Sequence, residues 1–553
     1  MDLAFLNPVM DTAVFPSTHP TTWPKLSLDR FAISRARARV IALAVVTSLA
    51  LGYRAVALST YGLSEDEINK VRAIEQYRQG HFGANAEHPM LMKLAMWGSV
   101  ELAGAWNHVA PAGQTVAIES ALRLPNVLAG TLTTLVLFGL AEMLFGTGVA
   151  FVASLLWALD VNAIAINRLG KEDTFLLFFF CLAMWCYERA KLQGATDPIG
   201  AQRWYGLSGA SFGLMLASKY MPHYLGIYAF FNTIADRNPG TNRPNRVLYY
   251  GAMLVAFVAA NVNVLMPETW RYCVQYVQGT NLVHHGYLYA GHLYVTNIPI
   301  SPLGVPATFY LRLLATKVPL AVLGATVVGL IELVRRRRER GFMLLRVWLV
   351  FVLIPYSLMA AKFIRYALPL FVAIDLVAAI GLVAGIGWLL RKGWLPRVTR
   401  VTVAAVAGVG SIAVLAFGLQ SASPFYSLFR NAVGERIAAA GETFPEEAYD
   451  YGVREAVAAI AEDAEPGAAV VSDAPAVVAY YLNAAERTDL HVQSLSGQGI
   501  PYGRQPSWVI VQDDHATFEN HDVVEQLRRQ SVPWREFHAG DALTAQVFRI
   551  SGR

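Results

Sequence analysis

The chain is poor in charge. Only 15% of its 553 residues are Asp, Glu, Lys or Arg, where a soluble protein carries about a quarter. Three cysteines (Cys181, Cys186, Cys273) give no disulfide framework, and two of them fall inside one apolar run. No G-x-G-x-x-G or Walker-type glycine loop occurs, so nothing marks a nucleotide site. The basic runs lack the fold context of a nucleic-acid reader, which argues against a nucleic-acid partner. There is no tandem repeat and no low-complexity segment. What is present is apolar sequence: 55% of residues are hydrophobic, gathered in runs of roughly 20, the length that crosses a hydrocarbon core as a helix. These features exclude a soluble enzyme and predict a mainly α, polytopic membrane protein.

Apolar runs lie near 40–59, 122–145, 149–166, 174–188, 204–218, 221–235, 248–266, 308–334, 343–361, 366–390 and 401–419, which predicts about eleven spans. Residues 1–38 are polar and Pro-containing, too long for a signal-peptide leader, so the run from Val40 reads as a retained span. Lys and Arg collect in alternate loops: Arg35, Arg37 and Arg39 before the first run, Arg189 and Lys191 after the fourth, Arg243 and Arg246 after the sixth. "RRRRER" (335–340) follows the eighth run, and Arg391 and Lys392 the tenth. Cytoplasmic loops hold such residues in excess. The amino terminus is then cytoplasmic, and the loop at 63–94, the loop at 267–306 and the tail lie outside.

From Ser421 onward ten Lys and Arg face nineteen Asp and Glu, a net of −9 against +14 for the rest. A basic membrane part with an acidic tail divides the chain into a cytoplasmic segment (1–38), a membrane domain (39–420) and a soluble extracytoplasmic domain (421–553). In that tail "AAVVSDAP", "SWVIVQDD" and "TAQVFRI" read as strands, while "AVVAYYLNAAE" and "VVEQLRRQ" read as helices. The alternation predicts a small α/β domain.

The stretch "LSEDEINKVRAIEQYRQGHFGANAEHPMLMKL" sets Glu65, Asp66 and Glu67 side by side and then His88, directly outside the first run. A single acid there would simply solvate a loop, but the density suggests more. Adjacent side chains point in different directions, so Asp66 and Glu67 can serve different roles, and a carboxylate beside a lipid headgroup suits general-base work on a hydroxyl. Arg123, Arg168, Asp173, Lys219 and Arg365 lie at the outer ends of spans. Singly they are interface residues that snorkel; together the cations form what a phosphate leaving group needs. The loop "GTNLVHHGYLYAGHLYVTN" adds His284, His285 and Tyr287. Without an H-x-x-x-H helix signature or a Cys pair it reads as a polar aromatic binding loop rather than a zinc site.

The acidic pair in the first outer loop, the His-Pro that follows, and then "RLPNVLAGTLTTLVLFGLAEMLFG", "NRLGKEDTFLLFFFCLA", "LASKYMP", "HHGYLYAG", "LRLLATKVPL" and "RYALPL" occur in a shared order. That ordered set resembles the GT-C glycosyltransferases of the protein O-mannosyltransferase and aminoarabinose-transferase-like family, over most of residues 40–455. Eukaryotic members carry an inserted β-trefoil domain for which no room exists between the spans here, so the resemblance implies a bacterial type in an inner (plasma) membrane. The resemblance implies an inverting transfer of a sugar, such as mannose, from a polyprenyl-phosphate donor in the membrane lipid to an acceptor hydroxyl on protein, lipid or glycan. It implies Asp66 as catalytic base with Glu67 beside it. His88, Arg123, Arg168, Asp173, Lys219, His284, His285, Tyr287, Arg365 and Tyr366 become donor-phosphate or substrate contacts. Met90 stands where the family's His-Pro-Pro-Leu motif has its second proline. No cofactor is required on this reading; a divalent metal stays open. The competing class is a transporter or flippase of lipid-linked sugars, which calls for ionisable or broken segments deep inside spans and an internal duplication. An oligosaccharyltransferase-like enzyme would carry a Trp-Trp-Asp-type signature that the tail lacks, and the retained Asp66 argues against an inactive scaffold.

Overall fold

In a computed structural model the apolar runs fold as helices, and the titratable loops collect at one end of them. The structure describes residues 35–235, 243–278, 286–295, 304–391, 396–439, 444–445, 447–500, 506–512 and 515–550. His284, His285 and most of the amino-terminal segment lie outside the described residues. The helices are α1 Arg35–Ala55, α2 Glu65–Arg78, α3 Leu91–Val109, α4 Ile118–Phe145, α5 Thr147–Leu159, α6 Val161–Asn167, α7 Asp173–Gly194 and α8 Pro198–Leu216. They continue as α9 His223–Ala235, α10 Arg246–Ala260, α11 Pro267–Val277, α12 Phe309–Lys317, α13 Leu320–Arg335, α14 Arg340–Leu358, α15 Leu368–Arg391 and α16 Arg397–Ala422.

The expected count of about eleven spans is corrected. Among the described residues five helices are long and apolar enough to cross a membrane, and six if α5 and α6, bent by 60° at their junction, are one span. The shortfall has local causes. The run at 308–334 is cut at Val318-Pro319, because proline cannot donate the helical hydrogen bond, and gives α12 and α13. The run at 221–235 yields only the thirteen residues of α9, and that at 248–266 only the fifteen of α10 before a 3-10 turn. Helix α7 is 22 residues long but carries Asp173, Glu188, Arg189 and Lys191 near its ends. The chain is multi-pass, with an irregular complement of short and broken helices.

Helices α4, α5, α7, α14 and α15 supply most of one large core that includes Trp157, Phe180, Trp348 and Phe371. Close crossings there rest on glycine. A Cβ on Gly381 of α15 would lie 2.0 Å from the Ala325 carbonyl of α13, and one on Gly329 would lie 1.9 Å from the Val377 carbonyl. The two backbones approach because neither residue has a side chain.

A hairpin, β1 Tyr287–Tyr289 with β2 His292–Tyr294, follows α11. Beyond α16 the tail forms a mixed five-stranded sheet, β3 Ala469–Ser472, β4 His491–Ser494, β5 Ser507–Gln512, β6 Arg535–Ala539 and β7 Ala542–Ile550, in the order β4-β3-β5-β7-β6. β3 runs parallel to β4 and β5, while β7 is antiparallel to β5 and β6. All three expected strands are present, and β4 and β6 are added. The buried run Trp508 to Val511 explains why β5 is central, since both of its faces are covered.

Gly381→Leu is expected to lower the melting temperature of the detergent-solubilised chain, by overpacking worth about 1–3 kcal/mol or more. Gly385→Leu on the same helix, where a Cβ meets nothing within 4 Å, is expected to be nearly silent; equal losses in both would contradict this packing.

Candidate active site

The site begins with a helix start. Ser64 caps α2, and Glu67, three residues on, accepts from the Ser64 N–H at 3.0 Å and its hydroxyl at 3.2 Å. This is capping-box spacing, and acids in a first turn are favoured by the helix dipole. Successive residues of a helix turn by about 100°, so the three acids part. Glu65 is exposed, the Asp66 side chain is 36% exposed, and Glu67 is fully buried.

Glu67 is therefore corrected from a catalytic to a structural residue. Its carboxylate takes a two-pronged pair from Arg123, Nε to Oε1 at 2.8 Å and Nη2 to Oε2 at 2.7 Å, and the Gly170 N–H at 2.9 Å. Burial favours its neutral form, but Arg123 and these hydrogen bonds outweigh that and hold it below its usual range. It has no lone pair left for a substrate proton. Arg123 changes role with it. Its guanidinium also donates to the carbonyls of Leu58, Tyr61 and Gly62 and lies over the Tyr61 ring, so it braces the loop between α1 and α2. Arg168 does the same one turn earlier, donating to the carbonyls of Tyr53, Arg54, Val56 and Ala57 at the end of α1. Both arginines are buried and neither points at a ligand space.

Asp66 faces the other way. The ammonium of Lys171, from the turn between α6 and α7, donates to its carboxylate. That turn can come so close because residue 170 is glycine: a Cβ there would meet Glu67 and Met96 at 3.0 Å. Asn126 fixes the turn by donating to the carbonyls of Leu169 and Lys171, each at 2.7 Å. Next to this pair, Lys70 and Glu172 form a fully buried ion pair at 2.9 Å. Burial would raise the Asp66 carboxyl, but Lys171, Arg365 and Lys70 outweigh it and hold it below the ordinary carboxylate range. Asp66 is thus charged and partly open at neutral pH.

Beside it, Lys219 pairs with Asp173 at 2.7 Å and lies 4.2 Å from the centre of the Tyr366 ring, which the Arg365 guanidinium also approaches. His88 comes in from the loop before α3. Lys93 ties that loop down by donating to the Asn85 and His88 carbonyls at 2.7 and 2.9 Å, and Asn261 accepts from the Met90 N–H at 2.9 Å. Met90, buried beside Tyr77, fills a core position where proline would offer less volume and no N–H for Asn261. Desolvation of the half-buried ring, opposed by Glu172 but reinforced by Lys70 and Lys171, pushes His88 down to about 3, so its imidazole is neutral.

Among the sequence candidates, then, Asp66, His88, Asp173, Lys219, Arg365 and Tyr366 share this surface. Glu67, Arg123 and Arg168 sit behind it as braces, and His284 and His285 lie outside the described residues. Tyr287 pairs with Tyr294 in the hairpin, whose Tyr289 packs on Phe309 and Phe444. Sequence reasoning passed over Lys70, Lys171 and Glu172. The available signal was "NRLGKED" itself, whose two central charges sit next to the bracketing pair. Among the described residues no three His, Cys, Asp or Glu side chains converge on a metal position, and Asp66 and Glu172 are each engaged by a lysine.

The carboxy-terminal segment bonds to the same loop. Arg454 donates to the carbonyls of Ser59 and Thr60, the Tyr481 hydroxyl accepts from the Leu63 N–H at 2.6 Å, and Asp450 accepts from the Glu65 N–H at 2.8 Å.

Residues 88–265 match the family model described as dolichyl-phosphate-mannose-protein mannosyltransferase. Crystal structures of ArnT from Cupriavidus metallidurans, apo and bound to undecaprenyl phosphate, superpose with TM-scores of 0.52 and 0.51 at 14% and 15% identity, covering 92% of this chain and 98% of that one. Over 114 residues the chain is 30% identical to YycA of Bacillus subtilis (strain 168), which bears a provisional mannosyltransferase name; that stretch is 21% of this chain and 16% of that protein. The overall fold is similar to that of ArnT, and the match to the expected family extends over residues 88–265.

His88 gives a stability test. Folded, it binds a proton only near pH 3; unfolded, near 6.5. Between those values the unfolded state holds more protons, so stability falls as pH drops, by up to about 1.4 kcal/mol per pH unit. The depressed carboxylates Asp66, Glu67 and Glu172 add their loss only below about pH 4.5. The melting temperature is expected to decline from pH 6.5 to 4.5, with a flatter decline in His88→Asn; identical slopes would contradict a neutral imidazole in the folded chain.

Proposed function

We propose that the chain is an inverting glycosyltransferase that moves a sugar from a polyprenyl-phosphate donor to an acceptor hydroxyl at the outer membrane surface. The observation that carries this reading is Asp66: a charged, partly exposed carboxylate at the end of the helices, with Lys171, Arg365 and Lys70 acting on it. The ArnT fold and the mannosyltransferase family match support the same class.

The chemistry follows from the charges. As the acceptor oxygen bonds to the anomeric carbon, the bond from that carbon to the phosphate oxygen breaks, and the hydroxyl proton passes to Asp66. The departing polyprenyl phosphate gains negative charge, which Lys171 and Arg365 stabilise. These two cations have a double use. While they face Asp66 they keep it a weak base. A donor phosphate competes for them, and as they turn to it Asp66 becomes more basic at the moment its proton arrives. Neutral His88 can accept or donate a hydrogen bond to the sugar or acceptor without adding charge. The polyprenyl chain stays among the lipid tails, which accounts for a polar site built at a bilayer surface. Mannose is the donor sugar to test first, given the matched family; the acceptor is a protein, lipid or glycan hydroxyl.

Purified chain in lipid is expected to release polyprenyl phosphate from polyprenyl-phosphate-mannose when an acceptor is supplied. Asp66→Asn should lower kcat by about 10²–10⁴ with little change in donor KM, whereas Lys171→Met should lower kcat and raise donor KM together. A folded Asp66→Asn protein with wild-type turnover would sink the assignment of the base. No release from any polyprenyl-phosphate sugar would sink the reaction class.

A further inference from the structure

A cavity of about 460 Å3 opens far from the Asp66 cluster, a volume suited to a lipid headgroup or other small ligand. Its walls include Tyr187 and Lys191 of α7, Phe212 of α8, Tyr228 and Asn232 of α9 and Met253 of α10. Arg243 and Arg246, both exposed, stand at its rim. Helix α7 starts at Asp173 in the outer cluster and reaches Lys191 eighteen residues later, about 27 Å away along the axis. The two sites thus lie at opposite ends of the helices.

Among the described lining residues the charged ones are all basic, Lys191, Arg243 and Arg246, with Lys191 also 3.9 Å from Glu188. Glu188, the carboxylate at this end of α7, is already paired with Arg340 at 2.8 Å and accepts from the Tyr228 hydroxyl. Lys191 donates to Asn232 and lies 4.9 Å from the Tyr187 ring centre. Basic residues at the cytoplasmic ends of spans are common, yet they do not require a hollow lined by tyrosines and apolar side chains. Helix α10, on one side of it, has none of its fifteen residues buried, and Val247, Leu254 and Val255 are exposed along it. At about 22 Å that helix is shorter than the roughly 30 Å hydrocarbon core, and its exposed apolar residues offer a surface for acyl chains next to Arg246.

We propose that this groove binds an anionic phospholipid of the membrane, its phosphate held by Lys191, Arg243 and Arg246 and its acyl chains laid along α10. The sugar donor is not the occupant, because a phosphate held here leaves its sugar more than 20 Å from Asp66 by the same helix rise. This inference stands apart from the proposed reaction and survives if that reaction fails.

The test is native mass spectrometry of the full chain in neutral detergent, titrated separately with phosphatidylglycerol, phosphatidylcholine and polyprenyl phosphate. Phosphatidylglycerol is expected to bind roughly tenfold more tightly than phosphatidylcholine. Arg243→Ala/Arg246→Ala should lose that preference, as should Thr233→Glu, which places an anion on an exposed residue of the lining. Asp66→Asn should keep it. Equal binding of the two phospholipids, a preference that survives in both groove variants, or displacement of phosphatidylglycerol from the groove by polyprenyl phosphate would each overturn the proposal.

Discussion

The arrangement of the candidate site around Asp66 depends on one buried ion pair, the two-pronged contact between Glu67 and Arg123. The segment from Val56 to Ser64 has little regular structure, so its backbone carbonyls need partners from elsewhere. Arg123 collects three of them and Arg168 takes those at the end of α1, while Arg454 and Tyr481 reach in from the carboxy-terminal domain. Glu67 neutralises Arg123 and caps α2 in the same stroke. Removing either partner would leave a charge buried without compensation, a loss of about 3–5 kcal/mol. Asp66 is oriented by this framework because it is the residue before Glu67 on a helix whose start cannot move.

Around Asp66 the charges are paired and yet unequal. Lys70 with Glu172 and Lys219 with Asp173 are closed pairs, whereas Lys171 and Arg365 together face Asp66. Two cations thus act on one carboxylate there, an arrangement suited to receiving a phosphate. A site balanced in this way stays ordered without a ligand and still gains from binding one. The carboxy-terminal domain takes part at one remove. By bonding to the backbone at Ser59, Thr60, Leu63 and Glu65, it fixes the outer side of the same loop.

Much of this was legible in the amino-acid sequence, and the reasons differ by element. The tail's strands and helices carried their own alternation and turn residues, so their types came out correctly. The ordered motifs were enough to expect the family. Asp66 stood out because three acids beside a membrane run are unusual, whereas the Ser64-x-x-Glu67 spacing, which marks a capping box, went unread. Arg123 and Arg168 misled because a buried arginine that gathers distant carbonyls and an interface arginine that meets a phosphate look identical in sequence. Lys171 escaped notice since its partner is 105 residues away. The span count failed where Pro319 and short loops cut apolar runs into helices below spanning length.

The most direct measurement is a structure of the chain in lipid with polyprenyl phosphate bound. The expected result is a phosphate within hydrogen-bond distance of Lys171 and Arg365, with Lys171 drawn away from Asp66 and the Glu67–Arg123 pair unchanged. A phosphate bound elsewhere, with Lys171 still on Asp66, would contradict the exchange of cations on which the proposed catalysis rests.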